Sequence, residues 1–206
     1  MTTDNKLNRR WLVTTLMQQR GDAAVVAGLG APTYDCFAAG DSDLNFYLWG
    51  AMGGATMIGI GLAHAQPDRR VIIVTGDGDM MMGIGSLGTI TAQMPTNLGI
   101  LVLDNEMFGE TGQQPGLTGE RTEIAKMALG AGIPCAFTIR KESEVAKLIV
   151  AVTAETGPVV CVAKVQSGKD PVALPSCDGV RLHHRFRAAV TGAPGSRYQS
   201  NASEGS

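Results

Sequence analysis

Five short stretches of this chain are apolar at nearly every position: Ala23–Ala27, Val71–Thr75, Leu98–Leu103, Cys135–Ile139 and Val159–Val162. A strand with one wet face alternates apolar and polar residues, whereas a strand apolar throughout is covered on both faces. Helix-like segments lie between these runs, at Asn8–Gln19, Gly50–Gln66, Met80–Met94, Thr122–Ala131 and Lys141–Thr156. In the last of them Val145, Leu148, Ile149 and Val152 fall on one helical face, and Gly157-Pro158 stops the pattern. Strands alternating with helices predict an α/β fold, a parallel sheet with helices on both faces and right-handed crossovers. A chain of 206 residues can bury one such core. The domain is expected over residues 1–191. Residues 192–206 are small, polar and aperiodic, which predicts a disordered C-terminal tail. Arg181–Val190 is expected as a short surface helix, with His183, His184, Arg185 and Arg187 open to a neighbouring subunit.

Charge narrows the partners. A net charge of -2 gives no reason to expect nucleic acid or an anionic membrane. Every apolar run is broken well short of a membrane span. Residues 1–6 lack the apolar segment of a signal peptide, and the four cysteines, Cys36, Cys135, Cys161 and Cys177, show neither CxxC nor zinc spacing. Cys135 and Cys161 read as small core residues, and the expected setting is the reducing cytoplasm.

Gly76-Asp77-Gly78 ends the second apolar run, and Asn105 ends the third, in Leu103-Asp104-Asn105. Asp and Gly dominate turns, so the triplet taken alone reads as a turn. Its placement argues for more. Open α/β sheets put their ligands at the carboxyl ends of strands. A carboxylate and an amide oxygen there suit magnesium, which is usually held by one or two carboxylates plus substrate phosphates. The glycines let backbone N–H groups approach phosphate oxygens closely.

Gly76-Asp77-Gly78 with Asn105 resembles the diphosphate-binding motif of thiamine diphosphate enzymes, and Trp49-Gly50-Ala51-Met52-Gly53 resembles the segment that supports the cofactor's aminopyrimidine in decarboxylases of that class. The resemblance spans most of residues 7–165. Residues 38–45, Leu103-Asp104-Asn105 and Glu110-Thr111-Gly112-Gln113 are most similar to sulfopyruvate decarboxylase β subunits, then to phosphonopyruvate decarboxylases. The resemblance implies thiamine diphosphate and Mg2+ as cofactors. Asp77 and Asn105 would ligate the metal through side chains and Met107 through its carbonyl. Gly76, Gly78 and Asp79 would line the diphosphate, the last two through backbone N–H groups. The Gly50 carbonyl would accept a hydrogen bond from the pyrimidine amino group. Met52 would wedge the cofactor into its bent shape, although a core methionine is its ordinary reading. Thr111 and Gln113 would contact substrate, unless the loop is simply polar surface. Glu110 departs from the relatives, where a small residue is usual. It either points away or signals a different substrate.

The resemblance also implies something missing. The activating glutamate of these enzymes belongs to a separate pyrimidine-binding module, for which this chain has no room. It is therefore expected to be the β subunit of a heteromeric 2-oxo acid decarboxylase, acting on 3-sulfopyruvate or a similar 3-substituted pyruvate. Its active site would lie at the interface with an α subunit. Phosphonopyruvate decarboxylase and an acetolactate synthase-like subunit are the alternatives. Two readings belong to other classes: a nucleotide-binding module using Gly83-x-Gly85-x-x-Gly88, and a non-catalytic structural subunit. The first needs its glycines directly between a strand and a helix, whereas here they fall within a helical stretch and read as packing glycines. Gly59 and Gly61 suit close packing and cofactor approach equally. His64 reads as a helix C-terminal cap.

Overall fold

The structure, a computed structural model, describes residues 6–168 and 170–192. The predicted sheet is present and wholly parallel. Its strands are β1 (Ala24–Ala27), β2 (Asn45–Tyr47), β3 (Val71–Gly76), β4 (Leu98–Asp104), β7 (Cys135–Ile139) and β8 (Val159–Lys164). A two-stranded hairpin, β5 (Met107–Phe108) and β6 (Gln114–Pro115), is separate. The order across the main sheet is β2-β1-β3-β4-β8-β7. The apolar runs Val71–Thr75 and Leu98–Leu103 therefore lie side by side at its centre, in register from Val71 opposite Leu98 to Gly76 opposite Leu103.

The continuous apolar pattern has a direct cause. Ile72, Val74, Leu101, Leu103 and Cys161 point into a core beneath α1 (Arg9–Gln19), α2 (Ala31–Ala38) and α7 (Val145–Ala154). Val71, Ile73, Ile100, Val102 and Val160 point the other way, toward α3 (Ala55–Ala65), α4 (Asp77–Met82), α5 (Ser86–Gln93) and α6 (Ile124–Gly130). Successive side chains alternate faces, and both faces are covered. No helix among the described residues is long and apolar enough to cross a membrane.

Several elements differ from expectation. The sequence assigned nothing to α2 and β2. β2 has three residues, one of them a buried Asn45 whose amide donates to the Tyr47 hydroxyl (2.8 Å). A strand that short and that polar carries no periodic signal. The helix expected from Gly50 begins at Ala55; residues 50–54 form a turn in which Ala51 (φ 57°) and Gly53 (φ 86°) are left-handed. The helix expected over Met80–Met94 starts at Asp77 and breaks at Gly83-Ile84-Gly85. The GxGxxG thus starts in the break between two helices and ends inside α5, not between strand and helix. Gly59 is a packing glycine, since a β-carbon there would come within 2.3 Å of Ile73 Cδ1, whereas Gly61 has open space. Lys141 and Glu142–Glu144 precede α7 as a 3-10 turn, with the Glu144 carboxylate accepting from the N–H groups of Arg140 and Lys141.

The C-terminal helix is larger and better anchored than expected. α8 runs Gly179–Thr191, with Asp178 capping its start by accepting from Arg181 N–H. Leu182 and Phe186 are buried, and the Phe186 ring lies 5.2 Å from that of Phe46 on β2. Arg185 is engaged within the chain. Its guanidinium grips Asp41 through two contacts of 2.6 and 2.8 Å. His64 does not cap α3 either; its ring nitrogen is hydrogen-bonded to the Gln93 side chain of α5. Cys161 is buried as expected, while Cys135 is partly exposed with its thiol donating to Glu155. Of the tail expected at 192–206, Gly192 ends α8 in a left-handed turn and residues 193–206 lie outside the described residues.

Candidate active site

Strand register builds the site. Gly76 pairs with Leu103, so Asp77 and Asp104 follow side by side at the carboxyl ends of the two central strands. α4 begins at Asp77, which tucks this carboxylate under the first turn. Asp77 is 4% exposed. Its Oδ2 accepts from Thr118 Oγ1 at 2.8 Å, and the same hydroxyl lies 2.8 Å from Asp104 Oδ1. One hydroxyl proton thus faces two carboxylates. Asp104 has a counter-charge, Lys164 Nζ at 2.8 Å. The hydrogen bonds of Asp77 come from uncharged donors, Thr118 and the backbone at residues 77 and 78. Burial first, and the Asp104 charge second, push the Asp77 carboxyl up to about 6 against the pull of those bonds.

Asn105 and its neighbours form a turn braced from behind. Asn105 Oδ1 accepts from Met107 N–H at 3.0 Å, which leaves that oxygen a second lone pair. Glu106 is left-handed (φ 65°) and is held by Lys164 (2.7 Å) and Lys6 (2.9 Å). The hairpin then folds the chain back over Asp77. Gly116 N–H donates to the Glu106 carbonyl at 2.7 Å, and a β-carbon on Gly116 would come within 3.2 Å of Asp77 Oδ2.

A second loop approaches from the other side. The Asp79 carboxylate accepts from Gly53 N–H and, at 2.5 Å, from Thr75 Oγ1, tying the Trp49–Gly53 turn to the end of β3. Gly78 lies between the two loops. A β-carbon there would meet the Phe108 ring at 2.9 Å and Met52 Cε at 3.4 Å. Nothing lies within 4 Å of the corresponding position on Gly50, and the Trp49 indole donates to the Ser176 carbonyl at 2.9 Å.

The residues singled out in the sequence therefore fall into two groups. Met52, Gly76, Asp77, Gly78, Asp79, Asn105 and Met107 converge at the ends of β3 and β4. The contact loop is more spread. The β-carbon position of Gly109 is 3.9 Å from both Asn105 Nδ2 and Gln113 Nε2, which puts Gln113 beside the Asn105 turn. Thr111 instead donates its hydroxyl to Gln114 at 2.9 Å. The Glu110 carboxylate rests against the Gly30 turn, 2.7 Å from where a β-carbon would stand. Thr118, Lys164, Glu106 and Phe108 escaped the sequence reading. Only Lys164 left a signal, as a lone charge inside the run Val159–Val165.

The donor chemistry fits a hard cation bound beside an anion. Among the described residues no three His, Cys, Asp or Glu side chains converge, so a cation would take mixed oxygen ligands and phosphate, as magnesium does. A buried carboxylate that receives only neutral hydrogen bonds is costly without a positive charge. Gly78 also leaves a floor between Phe108 and Met52 that any side chain would fill.

The thiamine pyrophosphate enzyme C-terminal TPP binding domain model matches residues 29–163. Phosphonopyruvate decarboxylase of Streptomyces viridochromogenes is 33% identical over 174 residues, covering 84% of this chain and 43% of that protein. The chain thus spans less than half of that relative. Sulfopyruvate decarboxylase subunit beta of Methanococcus maripaludis is 30% identical over 185 residues, covering 90% of this chain and 98% of that one. Benzoylformate decarboxylase from Polynucleobacter necessarius superposes with a TM-score of 0.66 at 17% identity, over 81% of this chain and 34% of that one, which speaks to the fold.

Proposed function

This chain belongs to the thiamine pyrophosphate enzymes, whose C-terminal cofactor-binding domain it carries, and we propose that it is the β subunit of a heteromeric 2-oxo acid decarboxylase. Its substrate would be 3-sulfopyruvate or a similar 3-substituted pyruvate, converted for sulfopyruvate to sulfoacetaldehyde and CO2. The observation that carries the site is the buried Asp77 carboxylate, without a cationic partner among its hydrogen bonds, at the end of a central strand beside Asn105. The subunit reading rests on the nearly end-to-end match to a sulfopyruvate decarboxylase β chain. The Streptomyces relative keeps phosphonopyruvate as the second reading.

When bound, thiamine diphosphate supplies the electron sink for loss of CO2 from a 2-oxo acid. The chain's own residues bind and orient. Asp77, Asn105 and the Met107 carbonyl would hold Mg2+. The N–H groups of Gly78 and Asp79 would meet the diphosphate, and Gly76 would keep its approach clear. The Gly50 carbonyl would accept from the pyrimidine amino group, and Met52 would support the cofactor from the same side. Gln113, beside the Asn105 turn, would face substrate, and Thr111 would need to leave Gln114 to do so.

The rest of the site belongs to an α subunit carrying the activating glutamate. Met52 and Met82, 36% and 65% exposed, flank the Gly53 turn, and exposed apolar groups of this kind suit a protein contact. The test is co-expression with a pyrimidine-binding partner and a panel of 2-oxo acids. Release of CO2 from sulfopyruvate by the pair, and not by this chain alone, is the expected result. Full turnover without a partner would refute the two-subunit reading. Preference for phosphonopyruvate would move the substrate to the second reading.

A further inference from the structure

Lys164 ends β8 just beyond the stretch matched by the family, and its side chain is 7% exposed. Its ammonium has three acceptors: Asp104 Oδ2 at 2.8 Å, Glu106 Oε1 at 2.7 Å and the Thr118 carbonyl at 3.1 Å. An ammonium has three N–H donors, so all are used. The acceptors come from separate pieces of the site. Asp104 and Glu106 are the two neighbours of Asn105. Thr118 belongs to the 3-10 turn Leu117–Gly119, which closes the hairpin loop over Asp77.

We propose that Lys164 is a positioning residue of the cofactor site: it grips both neighbours of Asn105 and aims the Thr118 hydroxyl at Asp77. The inference rests on the cation-site reading above. By holding Asp104 and Glu106 to one point, Lys164 fixes the turn between them and with it the Asn105 amide oxygen and the Met107 carbonyl. Glu106 sits in a left-handed conformation that a residue with a side chain rarely adopts, and its ion pairs to Lys164 and Lys6 hold it there. By holding the Thr118 carbonyl, Lys164 also sets the other end of that residue, whose hydroxyl stands 2.8 Å from Asp77 Oδ2. One ammonium thereby registers both halves of a site whose ligands come from different strands.

A carboxylate left to turn freely presents its oxygens in many directions, and Mg2+ demands near-octahedral placement. Thr118 limits that freedom without adding charge. A valine keeps the shape of threonine but removes the hydrogen bond, whereas a serine keeps the bond.

The test titrates the full chain with Mn2+, as a paramagnetic stand-in for Mg2+, in the presence of millimolar thiamine diphosphate, with affinity read by electron paramagnetic resonance. Lys164→Met and Thr118→Val are each expected to weaken Mn2+ binding roughly ten- to a hundredfold, the scale of one hydrogen bond to a charged group. Thr118→Ser should bind nearly as wild type. The double variant should be little worse than the poorer single one, because the two residues act through one contact chain. Folded Thr118→Val that binds Mn2+ as tightly as wild type overturns the role, as does additivity in the double variant. Should Lys164→Met fail to fold, the Thr118→Val and Thr118→Ser pair still decides. A wild-type chain that takes up no Mn2+, either alone or co-expressed with its pyrimidine-binding partner, overturns the cation-site reading, and this role with it. Wild-type uptake with unchanged variants overturns the role alone.

Discussion

Gly83 rests directly on Gly53: a β-carbon at residue 83 would stand 2.2 Å from the Gly53 carbonyl oxygen. Two backbones touch where α4 gives way to α5 and where the turn bearing Gly50 and Met52 comes down on the sheet. Gly53 also donates its N–H to Asp79. The turn that would face the pyrimidine is thus fixed from below by a contact only glycine permits.

Gly83→Ala is therefore expected to push the Trp49–Gly53 turn outward. The clash is with backbone, so no side chain can swing aside, and the loss of stability should be about 1–3 kcal/mol. Affinity for thiamine diphosphate should fall alongside. Gly61→Ala is the control: it lies in α3 with open space around it, and should stabilise by up to about 1 kcal/mol. Thermal melts and calorimetric titration of both variants check the pair.

Asp77 should show opposite effects on stability and on binding. Its folded pKa, about 6, lies above the usual 3.8, so the folded chain holds the proton more tightly than the unfolded one. Stability from this group is greatest below pH 3.8 and is lost as pH rises through about 6. At neutral pH the ionised form costs on the order of 3 kcal/mol without a cation. Asp77→Asn should raise the metal-free melting temperature at pH 7.5 and abolish Mg2+-dependent cofactor binding. In the wild type, apparent Mg2+ affinity should drop about tenfold per pH unit below 6, because a proton must leave first.

The Asp41–Arg185 pair works in the other direction. The Arg185 hydrogen bonds hold the Asp41 carboxyl below its usual range despite partial burial. A depressed acid contributes stability above the unfolded pKa of 3.8 and loses it as pH falls through the lower folded value. The pair is partly exposed, so Arg185→Leu should cost only about 1 kcal/mol near neutrality. That cost should vanish in strong acid. Denaturant melts of both proteins at pH 7 and pH 2.5 measure it.

Met52→Ala should separate function from folding. The side chain is 36% exposed, so metal-free stability should change by less than about 1 kcal/mol. Loss of the support beside Gly78 should lower decarboxylation by the assembled enzyme by at least about tenfold if the bent cofactor depends on it. Turnover and melting temperature, measured together, distinguish this from a general packing defect.

The sheet was legible because its cause is local. Every position of β3 and β4 is buried or nearly so, on two faces, and a run such as Val71-Ile72-Ile73-Val74 admits few other placements. Asp77 and Asn105 were legible for the same reason, as polar residues where such runs stop. The break at Gly83 was not, because its cause lies at Gly53, thirty residues away by number (83 − 53 = 30). Thr118 was invisible for a similar reason, being separated from Asp77 by 41 positions and a hairpin with no apolar rhythm. α8 was read as an exposed helix because Phe186 packs on Phe46 of β2, a strand the sequence does not announce.

β3 and β4 are hydrogen-bonded neighbours through six matched pairs, and each has a further strand on its outer side. The gap across which a cation would be shared is thus set by the spacing between adjacent strands, about 4.8 Å, and not by a loop that can breathe. A gauge of that kind is hard to recalibrate. Small, strictly octahedral ions suit a fixed gap, whereas calcium favours six to eight ligands and a yielding frame. Insertions at the outer strands β2 and β7 would leave the gauge untouched. A change of chemistry in descendants of this chain is therefore expected to come from its loops and its rim, with the central measure left as it stands.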